Sequence, residues 1–137
     1  MKPVTLAVVL ACLVFACSVE SVPLAATNLA ISRPLPGMPM SAGYLTLTNN
    51  TTQAIRITRV SSPEFESVEM HESVLEDGMA RMYALGDLMI LPGRAVEFAR
   101  GGKHLMLMRP RDDIETVTLE FYAGNALILS VNTTFTE

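Results

Sequence analysis

The chain reads as an all-β domain, a Greek-key sandwich or barrel of about seven to nine antiparallel strands. Three observations lead there. Turn signals recur about every eight to twelve residues. Short runs of β-branched and aromatic residues lie between them, and no segment keeps a 3.6-residue apolar period. At 137 residues and 50% hydrophobic content, the chain is one domain with enough apolar material for a core.

Residues 1–16 read as an export signal. Lys2 supplies a minimal positive region, and Val4 to Ala16 is apolar apart from Thr5. That run suits a signal segment and is too short to span a bilayer. Val14-Phe15-Ala16-Cys17 is similar to a bacterial lipobox, in which Cys17 would be lipidated and become the first mature residue. The alternative is ordinary cleavage near Ala25 or Ala26, leaving a soluble protein. Either route exports the chain to the periplasm or cell envelope. Residues 17–27 read as a spacer and residues 28–137 as the β-domain, with a first strand entering at Asn28-Leu29-Ala30-Ile31.

The strands follow in order. Arg33 to Pro39 holds three prolines, which fix φ and remove donors, so it is a loop. Tyr44 to Thr48 is a strand ended by Asn49-Asn50. Ala54 to Val60 alternates, with Ile55 and Ile57 opposed to Arg56 and Thr58. Phe65 to Glu72 and Met79 to Leu85 form a hairpin around Glu76-Asp77-Gly78. Pro92-Gly93 is a turn before the short strand Val96-Glu97-Phe98. Lys103 to Met108 and Glu115 to Tyr122 come next, and Gly124-Asn125 turns the chain into Ala126 to Phe135.

Charge and cysteine usage remove several function classes. The formal net charge is -4, without a basic stripe, which argues against nucleic acid and anionic lipid surfaces. Cys12 lies in the export segment and Cys17 directly after it, both ahead of the β-domain. The domain therefore has no thiol for a CxxC copper site or a cysteine-ligated blue-copper centre. No nucleophile elbow and no marked carboxylate pair point to an enzyme.

The two histidines carry the chemistry, and each stands near methionine: Met70-His71, and His104-Leu105-Met106. Side chains at i and i+2 of a strand share a face, so His104 and Met106 project together, with Met108 in the same parity. In a hairpin centred between Glu76 and Asp77, His71 lies directly opposite Met82, with Cβ atoms about 5 Å apart. Two such pairs facing each other make a four-ligand N2S2 site from His71, Met82, His104 and Met106. Imidazole and thioether without thiolate suit a soft ion, above all Cu(I). The imidazoles must be neutral to bind, so affinity falls with pH.

Here the resemblance becomes specific. His71, ten residues, Met82, twenty-one residues, His104, one residue, Met106 resembles the H(M)-x10-M-x21-H-x-M signature of the periplasmic copper chaperone PCuAC family. The flanks Glu69-Met70-His71-Glu72 and His104 to Met108, and Gly43 to Asn49, are similar to that family too. The resemblance spans roughly residues 28–135. It implies a cupredoxin-like β-barrel, a Cu(I) site from His71, Met82, His104 and Met106, and copper delivery to cytochrome c oxidase. It further implies a recipient such as an oxidase copper subunit or a Sco-type thiol protein.

The plainer assignments stand beside these. Met89 reads as core, as do Met70, Met79 and Met108 unless they back the site. Met38 and Met40 read as exposed loop residues near it, with the alternative that the loop lends the site an extra thioether. Glu69, Glu72, Glu76 and Asp77 read as a solvated hairpin edge, and Arg109 to Asp113 as a polar turn. Two further functions stay open: an envelope protein that sequesters copper for tolerance, and a β-sandwich that binds protein partners without metal.

Overall fold

The computed structural model describes residues 22–111 and 113–136, so the export segment and Cys17 lie outside the described residues. Every helix or strand among them is a strand. The eleven are β1 (Leu24–Ser32), β2 (Met40–Asn49), β3 (Ile55–Ile57), β4 (Arg59–Ser61), β5 (Phe65–Glu76), β6 (Met79–Ala84), β7 (Leu88–Ile90), β8 (Ala95–Phe98), β9 (Lys103–Pro110), β10 (Thr116–Ala123) and β11 (Ala126–Thr136).

Seven strands close into a barrel in the order β1-β11-β10-β4-β5-β9-β2, with β2 returning to β1. Strand β8 adds to β2, β6 adds to β5, and β3 with β7 makes a separate two-stranded sheet. The all-β barrel is as expected. The strand count is higher because three-residue strands appear, and one pairing is parallel, β1 with β11 through Ile31 and Phe135.

Strict alternation builds the barrel wall. In β2, Ser41, Gly43, Leu45 and Leu47 point inward, while Met40, Ala42, Tyr44 and Thr46 point outward. In β9, Leu105 and Leu107 are fully buried, and His104, Met106 and Met108 lie on the other face. Phe65, Phe98 and Phe121 fill the centre. At the β2–β9 contact the Leu105 and Leu107 side chains crowd Gly43, where an added Cβ would meet Leu105 Cβ and Leu107 Cδ1, each at 3.2 Å.

Several boundaries depart from the sequence reading: β2 begins at Met40 rather than Tyr44, β5 runs on to Glu76 rather than Glu72, β7 is an added strand, and two further departures have plain causes. The run Ala54 to Val60 is two strands, because it changes sheets at Thr58: β3 pairs with β7, and β4 with β10 and β5. Thr58 closes the break by donating its N–H and its hydroxyl to the Tyr122 carbonyl, at 2.9 and 3.3 Å. Strand β1 starts at Leu24, four residues ahead of Asn28, and Leu24 is fully buried opposite Asn49.

Strand β5 is long enough to leave the barrel. Its far end pairs only with β6, whose six residues are all exposed, so the two form a projecting arm. Asp77 and Gly78 at its tip have φ of 50° and 76°. Positive φ at both central residues is the type I′ geometry that matches strand twist, and Asp-Gly is a favoured pair there.

Candidate metal centre

Strands β5 and β9 run antiparallel with His71 directly opposite His104, Glu69 opposite Met106 and Ser67 opposite Met108. Directly opposed residues share a face, so the two histidines and Met106 form one cluster on the outer wall of the barrel. The imidazole centroids lie 6.0 Å apart, with the ring planes at 60°. With metal–nitrogen bonds of about 2 Å, two rings on one ion have centroids no more than about 6 Å apart. The pair sits at that limit.

Hydrogen bonds decide which nitrogens are available. His104 is buried, and its Nδ1 lies 3.0 Å from the Gly102 carbonyl. A carbonyl only accepts, so Nδ1 carries the proton and Nε2 keeps a free lone pair. His71 is oriented the other way round. Its Nε2 lies 2.8 Å from Glu69 Oε2, which places the proton there and leaves Nδ1 as the lone pair. These tautomers are assigned from the network. His71 Nδ1 is buried and has no hydrogen-bond partner. Ser41 Oγ is the other such atom among the described residues; an orphaned buried polar atom is rare in a folded protein, and a water or an ion is one of its usual partners.

Met82 is on β6, on the other side of β5 from β9. The direct His71–Met82 pairing expected from sequence does not occur. His71 opposes Ala84, and Met82 opposes Ser73. The reason is the turn: the hairpin pivots between Asp77 and Gly78, one residue later than expected, because the two positive φ values fall on that pair. The slip moves the sum of paired positions by two, so side-chain faces are preserved and Met82 becomes a diagonal neighbour of His71. Met82, Ser73, His104 and Met106 line one cleft of about 940 Å³, which also takes in Met38 and Met40. Met82 is about half exposed.

The remaining methionines separate by parity. Met70 is buried in the core, as its opposite parity to His71 indicates. Met89 is 51% exposed, contrary to the core assignment, because its neighbours Leu88 and Ile90 take the inward positions of β7. Met79 is 57% exposed at the arm, away from any core. Met108 is half-buried beside Met106.

Glu69 is legible in sequence only as an edge carboxylate, yet it orients His71; its i−2 spacing within an alternating strand is the available signal. Glu72 pairs with Lys103 at 2.8 Å, and Glu76 with Arg81 at 3.1 Å, so these two carboxylates are neutralised locally. Among the described residues, no three His, Cys, Asp or Glu side chains cluster as a metal site. An ion held here therefore has to draw on thioethers, which selects for softness.

Residues 19–133 match the family model described as "Putative lipoprotein LpqE-like". The chain belongs to the LpqE-like family. Among solved structures, this LpqE-like chain is similar to the copper-bound PCuAC domain from PmoF2, with a TM-score of 0.63 at 19% identity over 82% of this chain and 92% of that one. The apo PCuAC domain from PmoF1 gives a TM-score of 0.63 at 17% identity over 83% and 93%. Apo-DR1885 from Deinococcus radiodurans gives 0.59 at 26% identity over 98% and 93%. The fold is thus the cupredoxin-like barrel of PCuAC domains, in agreement with the spacing motif. No curated protein sequence matches the chain.

Proposed function

We propose that this LpqE-like protein is a Cu(I) chaperone of the cell envelope, binding copper through His71 Nδ1, His104 Nε2 and the thioethers of Met82 and Met106. The observation that carries the reading is the opposed histidine pair. One imidazole presents an orphaned buried nitrogen, the other a free nitrogen, and the proton of each is already committed to a partner. Such second contacts fix the ring orientation and raise ligand basicity. One fold neighbour, the PCuAC domain from PmoF2, is copper-bound, which supports copper as the ion.

The same geometry supports a role in delivery. Met82 stands on an exposed arm beside an open cleft, so a recipient can replace one thioether at a time without unfolding the site. Together with the motif, this favours transfer to cytochrome c oxidase assembly, through an oxidase copper subunit or a Sco-type protein. The chain itself performs no reaction. We further propose lipidation at Cys17. The family description supports it. Cleavage near Ala25 or Ala26 would remove the buried Leu24 and cut into β1.

A Cu(I) competition titration of the mature domain against a chromophoric chelator tests the site. The wild type should hold one tight equivalent, and His71→Ala/His104→Ala should lose it while keeping its β-rich circular dichroism. A wild type that fails to compete overturns the copper reading.

A further inference from the structure

The proline-rich loop between β1 and β2 delivers a second set of thioethers to the same wall. Met40 opens β2 directly opposite Met108, and Ala42 stands opposite Met106. In β2 and β9 these positions all point outward. Cβ atoms of directly opposed residues lie about 4.5–5.5 Å apart, close enough for two flexible thioethers to share one ion. Met106 is two residues from Met108 on the same face and diagonal to Met40, so it separates this pair from His104.

The placement is held by the backbone. The Arg109 N–H donates to the Pro39 carbonyl at 2.7 Å, tying the loop end to β9 next to Met108. The Met38 N–H donates to the Leu35 carbonyl at 2.9 Å, and Gly37 with φ of 79° turns the chain between them. Met38 and Met40 are 50% and 38% exposed, and both line the cleft that holds Met82, His104 and Met106. A lone exposed methionine needs no explanation. Here a row of them extends from the histidine pair outward, with solvent-facing thioethers at its far end.

We propose that Met40 and Met108, with Met38 at the loop, form a second, thioether-only site for Cu(I), an outer station from which the ion reaches the histidine centre through Met106. Two or three neutral thioethers bind Cu(I) without imidazole and without proton release, so this site is weaker than the inner one and indifferent to the protonation of the histidines. Ligand exchange through the shared Met106 needs no oxidation or reduction: Cu(I) enters and leaves as Cu(I). The inference rests on the copper reading above, and the test separates the two.

The probe is anaerobic Cu(I) added to protein carrying ¹³C-methyl methionine, followed by methyl ¹H–¹³C spectra. The Met82 and Met106 signals should move up to the first equivalent, and those of Met40 and Met108 between the first and second. In His71→Ala/His104→Ala, Met40 and Met108 should respond from the first addition. Met40→Leu/Met108→Leu conserves volume and should retain the first equivalent while losing the second. If Met82 and Met106 respond and Met40 and Met108 stay fixed past two equivalents, the outer station is wrong and the inner centre stands. If only Met40 and Met108 move, the station stands and the inner centre is wrong. If no methyl moves, both are wrong.

Discussion

His71 faces His104 across β5 and β9, and the two rings are held through different nitrogens, Nε2 of His71 and Nδ1 of His104. Glu69 holds one, the Gly102 carbonyl holds the other, and the vacant lone pairs are Nδ1 and Nε2 respectively. A metal centre needs that asymmetry less than it needs both rings fixed before the ion arrives. Pre-set ligands lower the ordering cost of binding.

On the copper reading, Glu69 is a positioning residue for the proposed metal centre. Glu69→Ala should weaken Cu(I) binding by about 10–100-fold, the usual range for loss of a ligand's hydrogen-bond partner. Glu69→Gln, which still accepts from Nε2–H, should weaken it less. The chelator titration reads the affinity, and long-range ¹H–¹⁵N spectra read the His71 tautomer. A Glu69→Ala affinity equal to wild type removes the role.

Met82 separates metal binding from folding. It is about half exposed on an arm outside the barrel. Met82→Leu should change stability by less than about 0.5 kcal/mol, as is usual for surface substitutions. It should weaken Cu(I) retention on the order of tenfold or more. Thermal melting of the apo form and the chelator titration measure the two quantities independently.

Much of the molecule is legible in its sequence, and the departures have physical causes. Alternation places His104, Met106 and Met108 on one face and Met70 in the core, because a barrel wall has one dry side and one wet side. The fixed spacing of His71, Met82, His104 and Met106 is the signal on which the proposed metal centre rests. The hairpin register escapes sequence reading because the pivot depends on which residues take positive φ, and Glu76-Asp77-Gly78 offers two choices. The exposure of Met89 between inward Leu88 and Ile90 escapes sequence reading because a three-residue strand has too few positions to show its parity. The orientation of Met40 toward Met108 lies beyond sequence, since it follows from a long-range pairing of β2 with β9.

The β2–β9 approach makes Gly43 a sensitive point under the site. A methyl there meets Leu105 and Leu107 at 3.2 Å, both fully buried. Gly43→Ala should cost about 1–3 kcal/mol by overpacking. Chemical denaturation should show the loss as a lower midpoint with an unchanged slope. A neutral result would mean that β9 can shift without penalty.

Glu64 supplies a pH dependence of folding. Burial pushes its carboxyl up. The Thr118 N–H at 2.9 Å, the Ser62 hydroxyl at 2.8 Å and the Thr118 hydroxyl at 3.2 Å outweigh that and hold it below the ordinary carboxylate value. The folded value is depressed, so the contribution is fully present above the unfolded value, near about 4.3. It is lost as pH falls through the folded value. Glu64→Gln should lower stability at neutral pH and flatten the stability curve below about pH 4.3. Urea unfolding midpoints across that range test it; parallel curves for wild type and variant would contradict it.

The copper reading stands on a single ion shared by two imidazoles and two thioethers on the outer wall of the barrel. Copper K-edge X-ray absorption on the singly loaded wild-type protein observes that shell itself. The spectrum should show an edge characteristic of Cu(I), with about two nitrogen neighbours near 2.0 Å and about two sulfur neighbours near 2.3 Å. A coordination shell of nitrogen and oxygen alone would contradict the shared site.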